Sequence, residues 1–279
     1  MPDIASARND LTLGAVPFTH RGEARGVTPS TAEIDMILAL YEDYDAAGGQ
    51  SGAHNNAADL SDALIDAVRH AYRKTYEGKA LYHLRATLVD PNALCPVCGI
   101  GFCEELDHFL PKSNFGVFAI YARNLIPSCS DCNERKRAQA GDTPATQFVH
   151  AYFSELPHTV FLRADVRLEG AALNVSFGVD KDAGLPEALS ERLSFQFDAL
   201  ALNERYRREL NLYLQSLSVG WWEVFDRAGV AGFRDYLNRQ ATLEANRLHL
   251  NHWRACLCRA LAGHDAFCNG GFKAVYPEM

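Results

Sequence analysis

The sequence predicts an α+β protein in which a small cysteine-rich module lies between N-terminal and C-terminal regions that are mainly helical. In the middle segment, two Cys-x-x-Cys pairs and short apolar runs replace long helical periodicity. On both sides of this segment, apolar residues recur at the spacing typical of helices that bury one face. Two short runs, 160–162 and 173–177, favour β-strands and are followed by turn residues.

The composition is that of a globular protein with a buried core. The chain has 279 residues, of which 48% are hydrophobic and 22% charged, and this length predicts one or two domains. It lacks an apolar run of about 18 residues, so we expect no transmembrane helix and no membrane partner. The N-terminus lacks the basic start and apolar stretch of a secretory signal, which predicts a cytoplasmic protein.

Four regions are expected along the chain. Residues 1–28 hold scattered Gly, Pro and polar residues without sustained periodicity, which predicts an extended or poorly ordered lead. Residues 29–90 are predicted to be an N-terminal helical region, and residues 91–140 contain the cysteine-rich module. Residues 141–279 are predicted to be a mainly helical C-terminal region with short strands.

The start of the N-terminal helical region has a local signal. Ser30 and Glu33 form a capping box before a run of apolar residues, which predicts a helix over about 30–46. Helical spacing returns over about 57–76, and the C-terminal region is expected to be interrupted near Gly220 and Gly229.

The net charge of −8 is unfavourable for a nucleic-acid-binding protein, whose affinity comes largely from neutralising phosphates. The charge is distributed unevenly, however. Residues 109–140 carry five basic side chains and two acidic ones. This segment is therefore positively charged within an acidic chain.

The cysteine pairs predict a structural zinc site. Cys95 with Cys98, and Cys129 with Cys132, can each supply two corners of a tetrahedron. Four thiolates leave no open position for a substrate, so this metal would stabilise the fold rather than take part in chemistry. A redox dithiol or incidental cysteines are the alternatives, but a redox dithiol requires only one such pair.

Further motifs lie between and within the cysteine pairs. They are Asp107-His108-Phe109-Leu110-Pro111-Lys112-Ser113, Asn124-Leu125 and Cys132-Asn133-Glu134-Arg135-Lys136. Together with the cysteine pairs, these motifs resemble the HNH endonuclease family in their order and spacing, over residues 95–137, about a sixth of the chain. The resemblance implies a zinc-stapled ββα-metal core, in which two antiparallel strands and a helix hold one divalent metal ion.

The resemblance also implies a role for each matched residue. His108 would be the general base, and its ordinary pKa near 6.5 suits that task at neutral pH. Asp107 and Asn133 would be ligands to a catalytic Mg²⁺ or Mn²⁺, and Asn124 would brace the loop that carries His108. Many members of the family have a histidine where this chain has Asn133, and a neutral oxygen ligand favours Mg²⁺.

Several basic side chains near the module are candidates for phosphate contacts. They are Lys112, Arg123, Arg135, Lys136 and Arg137. For the last three, a solvated helical face is the alternative. A second basic cluster in the C-terminal region, formed by Arg205, Arg207 and Arg208, is expected to be such a solvated face.

The remaining cysteines are expected to be structural. Cys256, Cys258, His264 and Cys268 resemble a second metal site only superficially, because helical residues two apart do not face each other. We expect these cysteines, and Cys103, to pack as small apolar side chains.

The function implied by the resemblance is metal-dependent hydrolysis of DNA phosphodiesters, by nicking or by double-strand cutting. Bacterial defence against phage, or restriction, is the expected setting, with a partner ATPase or sensor protein. Two alternatives stay open from the residues alone. One is a non-catalytic zinc module that binds nucleic acid or protein, and the other is a nuclease that acts on RNA.

Overall fold

A computed structural model describes residues 1–20, 22–52, 55–141 and 143–278, and its fold is α+β. The chain divides into two compact units, Met1–Glu155 and Leu156–Met279. The three regions expected before residue 141 therefore share one unit. This unit also contains residues 141–155, which the sequence analysis assigned to the C-terminal region.

The first unit contains five α-helices within the residues described. They are α1 (Ala7–Ala15), α2 (Thr31–Ala46), α3 (Asp62–Ala71), α4 (Tyr82–Leu88) and α5 (Ser130–Lys136). The predicted capping box is present at α2, since the Ser30 hydroxyl accepts a bond from the Glu33 amide, and the Glu33 carboxylate accepts one from the Ser30 amide. The helix expected over 57–76 is shorter, because it begins at Asp62 and continues after Ala71 as a 3₁₀ turn over Tyr72–Thr75.

The prediction of an extended or poorly ordered lead over 1–28 is wrong. Helix α1 lies within it and buries Leu11 and Ala15, which are four residues apart and share one helix face. Gly14 allows α1 to approach α3 closely, because a Cβ at this position would lie 2.9 Å from the Cβ of Ala71. Helix α1 packs on α3, a contact that local sequence cannot indicate.

Two pairs of antiparallel strands lie in the first unit. Strands β1 (Phe18–His20) and β2 (Glu23–Arg25) form one pair, and β3 (Glu105–His108) and β4 (Leu125–Ser128) form the other. In the second pair, Glu105 is opposite Ser128 and His108 is opposite Leu125. Helix α5 follows β4 almost at once, so the module has the expected order of two strands and a helix.

An aromatic cluster attaches α2 to the module. The rings of Tyr41 and Tyr121 stack with their centroids 4.0 Å apart, and the ring of Tyr44 lies 5.2 Å from that of Phe118. The Tyr41 hydroxyl donates a hydrogen bond of 2.9 Å to the Val117 carbonyl. The loop between β3 and β4 is thus held from outside the module by helix α2.

The second unit contains one hairpin and a set of helices. The hairpin joins β5 (Leu162–Glu169) to β6 (Ala172–Val179), and the helices are α6 (Glu187–Ala199), α7 (Leu202–Ser218), α8 (Trp221–Arg247), α9 (Trp253–Gly263) and α10 (Phe272–Val275). The strand predicted over 173–177 lies within β6, whereas the strand predicted over 160–162 shares only Leu162 with β5, which continues to Glu169. Its exposed charged residues alternate with less exposed ones, as expected for a strand with one face in solvent. Helix α8 is interrupted at Gly229, as predicted.

The cysteines of the second unit, and two of the three arginines of its basic cluster, have the burial that the sequence predicts. Cys256, Cys258 and Cys268 are buried, and among the described residues they belong to no group of side chains placed to hold a metal. Arg207 and Arg208 are exposed, but Arg205 is buried, so the expected solvated face is wrong for this residue. The cause is helical spacing, which puts Arg205 on the same face of α7 as the buried Leu202.

No helix in the described ranges combines the length and apolar character needed to cross a bilayer.

Candidate functional site

The four cysteines of the two pairs come together as one buried cluster. The Sγ atoms of Cys95, Cys98, Cys129 and Cys132 all lie within 4.8 Å of one another, and those of Cys98 and Cys129 are 3.7 Å apart. Sulfur ligands at about 2.3 Å from a tetrahedral zinc ion would be roughly 3.8 Å apart. The donor set and its spacing therefore fit a metal such as zinc.

Local structure places the first cysteine pair. The Gly99 amide donates to the Cys95 carbonyl at 2.8 Å, and Gly99 has φ +64°, a conformation that favours glycine. A Cβ on Gly101 would lie only 2.8 Å from the Cβ of Cys129, so this glycine allows the two pairs to approach. Cys103 is outside the cluster, and burial raises the pKa of its thiol to about 11.

A cleft of about 690 Å³ is lined by Asp107, His108 and Asn133, three of the four residues predicted to be catalytic, whereas the fourth, Asn124, is buried and outside its lining. Its lining comes from β3 and the loop that follows it, from the middle of α5 and the residues just after this helix, and from the N-terminal helical region. The side chains that bear on chemistry are Tyr72, Tyr76, Arg85, Glu105, Asp107, His108, Lys112, Asn133 and Arg137.

His108 is buried with its tautomer defined by a hydrogen bond. Its Nε2 lies 3.0 Å from the carbonyl oxygen of Ala119. Because a carbonyl can only accept, Nε2 carries the proton and Nδ1 keeps a lone pair. Burial, assisted by the nearby charge of Lys112, lowers the pKa of His108 to about 3. The ring is therefore neutral at pH 7, but it is a weaker base than the sequence analysis expected.

Asp107 is paired with an internal cation. Its carboxylate lies 3.1 Å from the Nζ of Lys136, which also donates a 2.6 Å bond to the His108 carbonyl. Burial raises the pKa of Asp107 and lowers the pKa of Lys136, although each partner opposes the shift of the other. The prediction that Lys136 contacts phosphate is wrong for this arrangement, because the side chain is buried against β3.

Asn133 contacts a residue that the sequence analysis missed. Its amide nitrogen donates a hydrogen bond to the carboxylate of Glu105. Glu105 precedes Asp107 by two positions on β3, so the two carboxylates share one face of the strand, a spacing that the sequence displays. Glu105, Asp107 and Asn133 thus bring oxygen atoms to one cleft, and oxygen is the donor that hard divalent cations prefer.

Asn124 lies where the resemblance predicts a brace. Its side-chain oxygen accepts a 2.7 Å bond from the Leu110 amide, and its nitrogen donates to the carbonyls of Leu110 and Phe118 at 3.1 Å each. The fully buried amide thereby joins both ends of the loop that follows His108.

A buried hydrogen-bond chain supports Asn124 from outside the matched segment. The Nδ1 of His150 accepts from the Tyr152 amide at 3.1 Å, so Nε2 of the neutral ring carries the proton. Nε2 lies 2.9 Å from the Tyr44 hydroxyl, which in turn lies 3.2 Å from the Asn124 oxygen. Tyr44 and His150 are separated by about a hundred residues, and the sequence holds no signal that pairs them.

Replacing Tyr44 by Phe is expected to lower the free energy of unfolding by about 1–3 kcal/mol, because the buried hydrogen bonds of the Tyr44 hydroxyl with His150 and Asn124 would be lost. Urea unfolding of the two proteins measures this difference. Tyr82→Phe is the control, since Tyr82 is exposed and its hydroxyl can remain hydrated. Equal stability of Tyr44→Phe and the native protein would show that the hydrogen bonds of the Tyr44 hydroxyl contribute nothing to the free energy of unfolding.

The other predicted phosphate contacts divide into two groups. Lys112 and Arg137 line the cleft and Arg135 is half-buried, so these positions stay compatible with the prediction. Arg123 instead forms an ion pair with the Asp45 carboxylate and donates to the Pro2 carbonyl at 3.3 Å. Its expected role as a phosphate contact is therefore corrected to that of a link to α2.

Comparison with known proteins finds one distant similarity. The chain is similar to protein ea31 of Escherichia phage lambda, with 26% identity over 200 residues. The match covers 66% of this chain and 66% of the phage protein, whose name states no activity. No model of a protein family and no solved structure matches the chain.

Proposed function

We propose that this protein is a metal-dependent endonuclease of the HNH type that hydrolyses DNA phosphodiester bonds. The observation that carries the proposal is the cleft, which combines a neutral histidine of defined tautomer with three oxygen-bearing side chains. These are the parts that such hydrolysis needs, namely a proton acceptor and a seat for a hard cation. The motif order, the two strands and helix, and the cysteine cluster support the same class.

In this mechanism, Nδ1 of His108 accepts a proton from the attacking water. The Ala119 carbonyl holds Nε2–H, so the ring keeps its orientation as the proton is taken up. Asn124 maintains the loop that places this carbonyl. Asp107 and Asn133, with Glu105, would hold Mg²⁺ or Mn²⁺, which supplies positive charge where the phosphorane and leaving oxygen become more negative.

A non-catalytic zinc module that binds nucleic acid or protein is the second candidate. The ion pair between Asp107 and Lys136 favours it, because the carboxylate already has a cationic partner. The low pKa of His108 points the same way. This candidate predicts a bound zinc ion without Mg²⁺-dependent cleavage. Action on RNA, a role in bacterial defence, a partner ATPase or sensor and a cytoplasmic location stay predictions from the resemblance and the sequence.

The proposal is tested by cleavage of supercoiled plasmid, single-stranded DNA and RNA by the purified protein. We expect nicking or linearisation of the plasmid with Mg²⁺ or Mn²⁺, and none without added divalent cation. His108→Ala is expected to reduce the rate by about 10²–10⁴-fold, the usual contribution of a general base.

The control is His158→Ala, which changes an exposed histidine in the second unit. It should cleave at the native rate. Cleavage of RNA alone would show that the substrate is RNA rather than DNA, and the proposed catalytic roles of the cleft residues would still hold. A native protein that cleaves none of the three substrates, or a His108→Ala variant as active as the native protein, would contradict the proposal.

A further inference from the structure

One part of the cleft is formed by side chains from the N-terminal helical region, to which the motifs assign no role. Tyr72 and Tyr76 lie in and just after the 3₁₀ turn that follows α3, and Arg85 lies on α4. All three line the same cleft as Asp107 and His108. With Lys112, we call this set the aromatic wall.

Cations and aromatic rings alternate along the aromatic wall. The Lys112 ammonium lies 4.1 Å from the ring centre of Tyr72, and the Arg85 guanidinium carbon lies 4.7 Å from that of Tyr76. The two rings contact each other at 6.1 Å and 74°. Such interleaving of positive charge with aromatic faces is typical of surfaces that bind single nucleic-acid strands.

Hydrogen bonds fix the aromatic wall relative to the candidate catalytic residues. The Tyr72 hydroxyl donates a 2.7 Å bond to the Leu106 carbonyl, between Glu105 and Asp107 on β3. Arg85 donates to the Glu104 carbonyl at 3.2 Å and to the Tyr72 hydroxyl at 3.4 Å. The ring of Tyr72 also packs on that of His108, with centroids 4.4 Å apart.

Packing explains Tyr72, whereas Tyr76 leaves about half of its surface in solvent despite its contacts with Tyr72 and Arg85. Tyr72 is 7% exposed and belongs to the core, whereas Tyr76 is 51% exposed. A single exposed aromatic residue is ordinary on a protein surface. Tyr76, however, is at a cleft that contains a candidate base and three oxygen donors.

Further positive charge lies beside the aromatic wall. The Cβ of Arg69 on α3 lies 3.4 Å from the position of a Cβ on Gly116, in the loop that contains Lys112. Arg73 directly follows Tyr72 in the 3₁₀ turn, and burial, followed by the charges of Arg73 and Arg69, lowers the pKa of Lys112. Arg69 is paired with Asp66, whereas Arg73 is exposed in the 3₁₀ turn that contains Tyr72.

We propose that the aromatic wall binds the substrate strand beside the scissile phosphate, with Tyr76 stacked on an unpaired base and with Arg73 and Lys112 on backbone phosphates. The inference rests on the proposed function and specifies its substrate as a strand that is single or locally opened. Stacking on Tyr76 requires an unpaired base, because the faces of a paired base are covered within the duplex.

The test measures binding separately from cleavage, in the otherwise unchanged His108→Ala protein with Mg²⁺. Fluorescence anisotropy gives the Kd for a labelled single-stranded oligonucleotide and for the same sequence as a duplex. Tyr76→Ala should weaken binding of the single strand about 10-fold, within the range for loss of one stacked base, and that of the duplex much less. Tyr76→Trp should restore single-strand binding, since indole also stacks.

Arg73→Gln should weaken both complexes and reduce the slope of log Kd against log salt by about 0.7–0.9, as for one lost phosphate contact. The matched controls are Tyr82→Ala, which removes an exposed tyrosine outside the cleft, and Arg8→Gln. Neither should change binding. Thermal unfolding of each variant establishes that it is folded.

The inference is overturned if Tyr76→Ala binds the single strand like its parent, or if it weakens the single strand and the duplex equally. Failure of the proposed function looks different, because the native protein would then not cleave although Tyr76 still affected binding. If the native protein cleaves and Tyr76→Ala does not affect binding, the proposed binding role of the aromatic wall is wrong, whereas the proposed nuclease activity still holds.

Discussion

We expect the native protein to bind a zinc ion at the cysteine cluster, and we expect Cys98→Ser to abolish this binding and to unfold the module around the cluster. Four buried thiols of this spacing fit a tetrahedral metal, and structural zinc binds with about 10–16 kcal/mol of free energy that is coupled to folding. Loss of one ligand is expected to remove much of this binding free energy. The binding free energy is comparable with the whole stability of a domain, which is about 5–15 kcal/mol. Metal analysis and thermal unfolding by circular dichroism measure the two effects.

Cys103→Ser is the matched control for this experiment. Cys103 is buried and follows Cys98 by five residues in the sequence, but it is not one of the four cysteines of the cluster. This variant should keep its zinc and lose little stability. Retention of zinc by Cys98→Ser, or equal loss by both variants, would contradict the four-thiolate site.

Replacing Lys136 by Met is expected to destabilise the protein by about 3–5 kcal/mol when no divalent cation is present. The change leaves the buried carboxylate of Asp107 without its cation, and an uncompensated buried charge costs that much. It also removes the 2.6 Å bond to the His108 carbonyl. Urea unfolding in metal-free buffer measures the loss.

Two comparisons make this prediction specific. The double variant Asp107→Asn with Lys136→Met should be more stable than Lys136→Met alone, because it contains no unpaired charge. Added Mg²⁺ should stabilise Lys136→Met more than the native protein if Asp107 can bind a cation, since ligands stabilise the state that binds them. A Lys136→Met protein as stable as the native one would show that the ion pair has no net effect.

Local patterns predicted the features that depend on neighbours in the chain. The capping box at Ser30 needs only residues three apart, and each Cys-x-x-Cys turn is defined within a few residues. The spacing of two between Glu105 and Asp107, which places both side chains on one face of a strand, is also visible in the sequence. The order of the motifs was enough to predict the two strands and the helix.

Distant contacts decided the features that were missed or wrong. Lys136 and Arg123 are basic residues beside a candidate site, and sequence alone cannot tell a phosphate contact from an internal ion pair. Their partners, Asp107 and Asp45, lie 29 and 78 residues away, respectively. The pKa of His108 was mispredicted for the same reason, since burial in the folded chain causes its shift.

The sequence by itself therefore determined the class of fold and the four cysteines that come together, because periodicity and each Cys-x-x-Cys pair depend on residue type and short spacing. The candidate residues of the cleft were predicted from the resemblance of the motifs to the HNH family. Only the tertiary structure decided which charges are buried, which tautomer His108 adopts and which side chains of the N-terminal helical region enter the cleft. These properties depend on desolvation and on hydrogen bonds between segments far apart in the chain. Tyr76 and Arg85 reach the cleft because the 3₁₀ turn after α3 and helix α4 are hydrogen-bonded to the backbone at β3.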